Sequence, residues 1–580
     1  MLNMSRVRRA VLATFLCAAP LFAATAQAST SMLEREAARE VLRHSARAAN
    51  GGGGVVPLPL PEPARASAAS ASSELARVAR SAGPERLLIG ARTHEDLDRL
   101  AAELRSLGAQ PELFETIGAL AATVPSGAEA VGALRDDPRV AYIERDRTLR
   151  IAQDPFDVVD LTSGPPPIKF TWAYDAVRAG EALTTIGGGS ARTVSVIDTG
   201  LDVNHPEFAG QVARVFDTSS GGASVTDIVG HGTFVSGLIG AIDGNGRGGK
   251  GVAGSTKLVA VRASLDGSFT VADLIGGLEF SIRRGVDVVN LSLAGQGFTQ
   301  TQARAFEAAF FNDVLPVAAA GNNAENGNPL EFPAAAIGGV RGGRGIGLSV
   351  AATKPDGGVA SFSDHNDFVS LAAPGASGGS CEFGVFSTLP ANGGTEWDRP
   401  DSCSRVFIDG SARYAYGEGT SFAAPIVSGL AAVAWQAEPR LASEQVADVM
   451  VRSATGGGWN EFTGAGVVDG KAAVDIATRY DVVGPRARGS ARRRGNRVKA
   501  TVARSQDRTD PGDELAAALT YSLLVSRDGG RSFGFVARGR PRPFSRNVRI
   551  RGRRKNVLVG TACDGNGNCG VKVLGRFRRR

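Results

Sequence analysis

The stretch "TVSVIDTG", residues 193–200, decides the fold class of this 580-residue chain. An apolar strand ends at Asp198, and a Thr-Gly pair then turns the chain away. Runs of the same kind recur around helical stretches such as "TFVSGLIGAI" and "ADLIGGLEFSIRRG": "KLVAVRASL", "VDVVNLSLAG", "VLPVAAAGN" and "GLSVAAT". Near-continuous apolar strands that alternate with helices are typical of a mostly parallel sheet covered on both faces. We therefore predict an α/β domain from about Thr171 to Tyr480.

The first 28 residues have the pattern of a secretory signal peptide. Arg6, Arg8 and Arg9 precede a short apolar run, and "AQA" ending at Ala28 fits a small-residue cleavage site. A transmembrane anchor is the alternative, but the run is short and contains Pro20. We expect a secreted, extracellular protein without a membrane span in its mature form.

Two segments separate the signal from the α/β domain. Residues 29–84 are mostly low in complexity, so we expect a flexible pro-region. Residues 85–152 carry the strand-like runs "RLLIGA", "ALAATVP" and "VAYIERD" and the helix-like runs "HEDLDRLAAELRSLG" and "GAEAVGALRDD". These alternating runs predict a small α+β domain that ends in a loop near residues 149–157.

The C-terminal region, residues 485–580, has short strand-like runs separated by Gly, Asn and Asp turns, which predicts a small all-β sandwich. Residues 481–580 hold 25 lysines and arginines against 7 aspartates and glutamates. Interleaved aromatics and a known nucleic-acid-binding motif are missing, so we expect no nucleic acid as a partner. Contact with an anionic cell surface, or a solvated surface with no partner, both remain open.

Four cysteines remain once the signal peptide with Cys17 is removed: Cys381, Cys403, Cys563 and Cys569. An even number in an oxidising compartment predicts disulfides, and local pairing within each pair is the simplest of three connectivities. A zinc site competes with this interpretation, but no histidine lies near either pair and the spacings do not suit zinc.

Four polar residues follow apolar strands or begin helices. Asp198 ends a strand, His231 in "GHGTFVSG" precedes a helix, and Asn322 in "PVAAAGNN" follows another strand. Ser421 in "GEGTSFAAPIVSGL" stands where a polar turn meets an apolar helix. Taken singly, each fits an ordinary role as a turn or helix-cap residue. Together they offer a nucleophile, a base, an orienting carboxyl and an amide donor.

In chain order, "VIDTG", "GHGT", "AAAGN" and "GTSFAAP" resemble the motifs of the subtilisin-like serine proteases, the subtilases of peptidase family S8. The resemblance covers about residues 155–480, extends the predicted α/β domain to residues 153–480, and implies a three-layer α/β fold and a serine-type endopeptidase. It implies that Ser421 is the nucleophile, His231 the general base and Asp198 the residue that orients His231. Asn322 and the Ser421 backbone N–H would form the oxyanion hole.

The same resemblance implies that residues 85–152 are an inhibitor (I9-type) propeptide, which assists folding and then occupies the active site. Cleavage is expected near Ala152–Gln153, by the enzyme itself. The walls of the substrate cleft would be Ser292, Leu293, Ala294, Gly295, Ala319, Ala320 and Gly321. Their small side chains leave room, so we expect a large apolar residue at P1, the substrate residue whose carbonyl is attacked, and broad degradation of extracellular proteins.

No cofactor is required for this chemistry, and calcium is the one metal that the resemblance suggests. Glu207 and Asn245 fall where relatives hold a structural calcium ion, and hard oxygen ligands on a Gly-rich loop suit it. Arg247 and Lys250 would lie beside the ion, which argues against the site.

Two other functional classes compete with a protease. An α/β-hydrolase would need a Gly-x-Ser-x-Gly elbow, which Ser421 lacks. A catalytically inactive subtilase scaffold would serve as an extracellular binding or adhesion module. All four expected residues are present, so nothing in the sequence favours an inactive scaffold.

Overall fold

The computed structural model describes residues 85–106, 108–124, 134–151, 171–254, 256–376, 384–394, 397, 407–506, 519–527, 533–551, 555–564 and 568–579. The described residues up to Tyr480 form one compact unit, and those from Asp481 onward belong to a second. The signal peptide, the low-complexity segment, most of the helix expected in "GAEAVGALRDD", Cys381 and Cys403 lie outside the described residues.

A four-stranded antiparallel sheet with one helix begins the first unit, in the strand order β2-β3-β1-β4. The helix buries Leu97, Leu100 and Leu104 in the core that it shares with this sheet, as the spacing of its leucines predicts. The elements are β1 (Glu85–Ala91), α1 (His94–Ser106), β2 (Glu112–Phe114), β3 (Ala119–Val124) and β4 (Val140–Arg145).

The segment β5 (Thr148–Ile151) is a strand, so the expectation of a loop from residue 149 was wrong at its start. It lies between β9 (Ser268–Thr270) and β11 (Leu293–Gln296), antiparallel to both, and β13 (Glu331–Phe332) completes this sheet. The partners of β5 are more than 100 residues away in the sequence. Nothing in its own four residues therefore predicts the pairing.

A seven-stranded parallel sheet forms the centre of the first unit, in the order β15-β14-β12-β10-β6-β8-β7. Its central strands are buried along their length, which explains their near-continuous apolar sequences. The strands are β6 (Thr193–Asp198), β7 (Val212–Asp217), β8 (Lys257–Arg262), β10 (Val288–Leu291), β12 (Leu315–Ala319), β14 (Leu348–Thr353) and β15 (Leu371–Pro374). The α/β prediction is confirmed.

Helices surround this sheet. They are α2 (Trp172–Ala176), α3 (Ala179–Thr185), α4 (His231–Gly240), α5 (Val271–Arg284), α6 (Gln300–Phe311), α7 (Ala334–Ile337), α8 (Thr420–Ala437), α9 (Ser443–Ser453) and α10 (Gly470–Arg479). Short 3-10 turns occupy Pro206–Phe208, Ala324–Asn326 and Val340–Gly342. Of the helices described, α8 alone has the length and hydropathy of a membrane span, and it is the buried central helix of the unit.

A small antiparallel sheet precedes α8, in the order β16-β18-β17. Its strands are β16 (Val385–Leu389), β17 (Phe407–Asp409) and β18 (Ala412–Gly417).

The described residues of the second unit are all-β, as predicted, with two antiparallel sheets that share one apolar core. One sheet has the order β19-β20-β23 and the other the order β22-β21-β24-β25. The strands are β19 (Arg486–Arg494), β20 (Arg497–Gln506), β21 (Thr520–Ser526), β22 (Gly534–Arg540), β23 (Phe544–Arg549), β24 (Asn556–Cys563) and β25 (Cys569–Phe577). A disulfide joins Cys563 to Cys569, as local pairing predicts.

Exposed basic residues line one face of the β19-β20-β23 sheet. Arg492 is directly opposite Lys499, and Arg497 lies between Arg494 and Arg549. Like charges directly opposite one another destabilise a sheet, so this arrangement does not serve the fold.

Candidate active site

Asp198 and His231 meet at the carboxyl end of the central strand β6. His231 is the first residue of α4, and its Nδ1 lies 2.8 Å from Asp198 Oδ1, with both side chains fully buried. Because a carboxylate only accepts hydrogen bonds, Nδ1 carries the proton and Nε2 is left as the basic nitrogen. A Cβ on Gly232 would overlap the Gly200 carbonyl oxygen. Glycine at this position therefore lets the helix start close to the strand end.

Asp227 is a site residue that the sequence analysis missed. Its Oδ1 accepts from the Gly230 N–H at 2.8 Å and from Thr199 Oγ1 at 2.9 Å. Its Oδ2 accepts from the N–H and the hydroxyl of Thr233 at 2.8 and 2.7 Å. These bonds fix the first turn of α4, and hence His231, against the end of β6. The sequence feature that could have identified Asp227 is its acidic side chain four positions before His231, at a predicted helix start.

Ser421 is the second residue of α8, near the positive end of the helix dipole. It is fully buried, and its Oγ donates to the Ser292 carbonyl oxygen at 3.0 Å. His231 Nε2 has no hydrogen-bond partner among the described residues. The serine hydroxyl would therefore have to rotate toward Nε2 before it could act as a nucleophile, and loose catalytic hydrogen bonds are common without substrate.

Asn322 is oriented by Thr420, another residue that the sequence analysis missed. Asn322 Oδ1 accepts from the Thr420 N–H at 3.0 Å and from its hydroxyl at 2.7 Å. The Gly321 N–H in turn donates to the Thr420 hydroxyl at 3.2 Å. Because the amide oxygen is held toward Thr420, the Nδ2 group occupies the other side of the carboxamide, as an oxyanion donor requires.

A buried polar chain links β10 to the start of α8. Ser428 Oγ donates to Asn290 Oδ1 at 2.9 Å, and Asn290 Nδ2 donates to Ser292 Oγ at 3.0 Å. Ser292 Oγ donates to the Ser421 carbonyl oxygen at 2.6 Å. Ser292 thus contacts both the hydroxyl and the backbone of Ser421. Ser292 was expected to form a cleft wall, whereas the roles of Asn290 and Ser428 in this hydrogen-bond chain were not predicted.

The strand β5 pairs with β11, which carries Leu293 and Ala294, two residues expected from the sequence to line the substrate cleft. Ile151 is opposite Leu293, Arg150 is opposite Ala294, and the Ile151 N–H donates to the Gly267 carbonyl oxygen at 3.0 Å. Leu149 is buried. A polypeptide in this register would place its next residue opposite Ser292, directly beside Ser421.

The residues expected to bind calcium do not fit the ion as they are arranged. Glu207 is fully buried and accepts from Asn245 Nδ2 at 2.7 Å, from the Tyr414 hydroxyl at 2.9 Å and from the Gly249 N–H at 3.4 Å. Asn245 Oδ1, the atom that would bind a cation, accepts from the Arg247 N–H at 2.9 Å. Hydrogen-bond donors thus surround Glu207, where a calcium site needs converging oxygens.

A buried Asp-His pair and a serine at a helix N-terminus are the kinds of group that serine hydrolases use. The model of the subtilase family, Peptidase S8, matches residues 189–466. The chain belongs to this family, and it is a serine-type endopeptidase whose substrates are proteins or peptides.

Three relatives illustrate the similarity. "Thermophilic serine proteinase" of Bacillus sp. (strain AK1) is 32% identical over 55% of this chain and 70% of its own length. "M-protease" of Shouchella clausii (strain KSM-K16) is 30% identical over 69% of this chain and 94% of its own length. "Subtilisin E" of Bacillus subtilis (strain 168) is 30% identical over 62% of this chain and 81% of its own length.

Proposed function

We propose that the chain is a secreted endopeptidase, made as an autoprocessed zymogen, that cleaves peptide bonds through an acyl-enzyme on Ser421. The Ser421 hydroxyl attacks the substrate carbonyl while His231 Nε2 takes its proton, and the imidazolium then protonates the leaving amine. Water, activated by the same nitrogen, hydrolyses the ester. Asp198 holds the imidazole and stabilises its cation. The 2.8 Å contact between His231 Nδ1 and Asp198 Oδ1 is the observation that carries this proposal.

The negative charge on the tetrahedral intermediate would be stabilised by the Ser421 backbone N–H and by Asn322. The Ser421 N–H lies at the start of α8, where the helix dipole favours negative charge, and Asn322 is hydrogen-bonded to Thr420 at the same helix end. Loss of one oxyanion donor costs about 2.7–4 kcal/mol of transition-state stabilisation in such enzymes.

The zymogen proposal is supported by the contacts of residues 85–151 with the protease domain. β5 pairs antiparallel with β11, the expected cleft wall, and a product strand would pair in the same way. Glu144 accepts from the backbone N–H groups of Gln300 and Thr301 at 2.7 and 3.0 Å, at the first turn of α6. Asp146 accepts from the Ala272 N–H at 3.0 Å, at the first turn of α5. Carboxyl groups at two helix N-termini suit a tightly bound intramolecular inhibitor.

Secretion is proposed from the signal-like residues 1–28. Contact with an anionic cell surface is proposed from the basic face of the β19-β20-β23 sheet. The cross-strand alignment of Arg492 with Lys499, and of Arg494 and Arg549 with Arg497, supports this second part. The repulsion between these aligned basic side chains would be offset when the face binds a polyanion.

The intact mass of the secreted protein, wild type beside Ser421→Ala, tests the proposal. We expect the wild type to lose its N-terminal region near residue 152 and the variant to keep it. If both are cut alike, another protease matures the chain and autoprocessing is refuted. If neither is cut and the wild type hydrolyses no peptide, the enzymatic proposal itself fails.

A further inference from the structure

Two acidic side chains that the peptide-bond chemistry does not use are buried beside the reaction centre. Asp364 is fully buried and Glu331 is 6% exposed. Glu331 lies on β13 and pairs with Gln296 of β11, the strand that also pairs with β5. The backbone N–H of Asp364 donates to the carbonyl oxygen of Gly321 at 2.9 Å.

The two carboxyl groups converge on Gly321. Asn323 holds one oxygen of each, because its backbone N–H donates to Asp364 Oδ1 and its Nδ2 to Glu331 Oε1, both at 2.9 Å. The other oxygens, Asp364 Oδ2 and Glu331 Oε2, both crowd the position that a Cβ on Gly321 would occupy. Apart from the Glu331 carboxyl itself, no donor among the described residues reaches Asp364 Oδ2.

Among the residues that the structure describes, no cationic side chain compensates this acidic pair. In the part of the chain that the structure describes, neither Glu331 nor Asp364 forms an ion pair with a lysine, arginine or histidine. Burial and the neighbouring Glu331 raise the pKa of Asp364 to about 8, and burial raises the pKa of Glu331. Such a pair costs stability, and a bound cation would remove much of that cost.

The acidic pair lies against Gly321, which we expect to line the substrate cleft. A substrate strand in the register of β5 brings its P1 residue opposite Ser292, whose carbonyl oxygen is 3.0 Å from Ser421 Oγ. Gly321 lies near the start of α8, because its N–H donates to the Thr420 hydroxyl. A P1 side chain that extends from Ser292 toward Gly321 would meet the two carboxyl oxygens that crowd Gly321.

We propose that Glu331 and Asp364 form the base of the P1 pocket and select lysine or arginine at that position. The inference rests on the proposed protease function and names its substrate class. A buried acid at the base of this pocket gives other serine proteases a preference for basic residues. The proposal departs from the large apolar P1 residue expected from the sequence, because that expectation considered only the small residues of the cleft walls.

The chain's own maturation point does not contradict this selectivity. Cleavage near Ala152–Gln153 would place alanine at P1, without a basic side chain. Autoprocessing is intramolecular, and a tethered strand reaches effective concentrations that no free peptide attains. In autoprocessing the register of β5 then determines which bond is cut. For free substrates, the P1 pocket determines which peptides are cleaved.

The test measures kcat/KM of the mature enzyme on peptide p-nitroanilides that differ only in P1: Lys, Arg, Leu, Phe and Glu. We expect kcat/KM on the Lys and Arg peptides to exceed kcat/KM on the Leu peptide on the order of 100-fold, which is the effect of one buried charge pair. Glu331→Gln and Asp364→Asn should lose most of this advantage, so that the ratio of kcat/KM on the Lys peptide to kcat/KM on the Leu peptide falls toward 1. Glu325→Gln is the matched control, because Glu325 is an exposed acid in the same segment.

The ratio between two peptides measured on the same variant separates lost selectivity from misfolding, because misfolding lowers kcat/KM on both peptides alike. If either buried-site variant does not fold, the ranking of the five peptides by the wild type decides the question alone. A wild type that prefers Leu or Phe overturns this inference and leaves the protease proposal standing. A wild type that cleaves none of the five peptides, nor a protein substrate, counts against the protease proposal instead.

Discussion

Thr420 Oγ1 donates a hydrogen bond to Asn322 Oδ1 at 2.7 Å. Thr420 directly precedes Ser421, the residue that we assign as the nucleophile. The hydroxyl therefore positions the oxyanion donor without touching substrate. We expect Thr420→Val to lower kcat about 10-fold with little change in KM, since one hydrogen bond is worth about 1–1.5 kcal/mol. Thr420→Ser, which keeps the hydroxyl, should retain most of the activity. Steady-state kinetics on one peptide measures both, and equal kcat for wild type and the valine variant would refute the role.

Glu144 should control how long the propeptide inhibits the enzyme. It accepts three hydrogen bonds from the first turn of α6, two from backbone N–H groups and one from the Thr301 hydroxyl. Because Glu144→Ala leaves those donors unsatisfied at the interface, we expect a weaker inhibitor and a clearly shorter lag before peptide hydrolysis appears. Glu95→Ala is the control, since Glu95 lies on the exposed face of α1. An unchanged lag in Glu144→Ala would contradict the inhibitor proposal.

The acidic pair should make the fold less stable as pH rises. The pKa of Asp364 is about 8 in the folded chain against 3.8 for an unperturbed aspartate, because burial and Glu331 disfavour its ionised form. Between these values the folded state holds a proton that the unfolded state has released, so the free energy of unfolding falls with increasing pH. Tm of Ser421→Ala, which cannot digest itself, should therefore drop between pH 5 and pH 8.

The same measurement on Ser421→Ala/Asp364→Asn isolates the contribution of Asp364 from that of other carboxyl groups. An amide does not titrate, so the drop in Tm over this range should be smaller. If the two profiles run parallel, Asp364 is ionised in the folded chain, and its raised pKa is refuted.

Sequence patterns predicted the parts of the fold that depend on local periodicity. The apolar runs ending at Asp198 and beginning after Ser421 became β6 and α8, because a buried parallel sheet and its central helix need little except continuous apolar residues. The strand β5 was missed, since it is stabilised by β9 and β11 and not by its own composition.

The residues that orient the site were harder to find than those that act in it. Asp227 and Thr420 look like ordinary turn and cap residues until their partners Thr233 and Asn322 are brought next to them. Nothing in the sequence around Glu331 indicated that this residue is buried, because a glutamate after an irregular segment is usually solvated. Its buried environment becomes visible only in the structure, where the Glu331 and Asp364 carboxyl groups both lie against Gly321.

Chelation should leave the stability of the Glu207 region unchanged. Tyr414, Asn245 and the Gly249 N–H already satisfy the Glu207 carboxyl group, so no ion is needed there. We expect the same Tm for the Ser421→Ala protein with and without EGTA. A fall in Tm of several degrees with EGTA, restored by added calcium, would contradict this arrangement.

The basic face of the second unit should bind bacterial cell envelopes through charge. Three arginines lie directly across from one another in adjacent strands, and all are exposed: Arg494, Arg497 and Arg549. In the Ser421→Ala protein, we expect their replacement by glutamine to reduce co-sedimentation with purified envelopes several-fold. Deletion of residues 485–580 should abolish it. Binding of the unaltered face should weaken as salt rises, because exposed charges are screened within about 8–10 Å at 0.10–0.15 M ionic strength.

A second triple variant separates the aligned face from net charge alone. It replaces three exposed basic residues of the other sheet by glutamine: Arg538, Lys572 and Arg576. Both variants lose three positive charges, so a general attraction would weaken equally in both. Stronger loss in the variant of the aligned face supports a defined binding surface, because only there are like charges held opposite one another at a cost to the sheet. Unchanged binding after deletion of residues 485–580 would refute targeting by this unit.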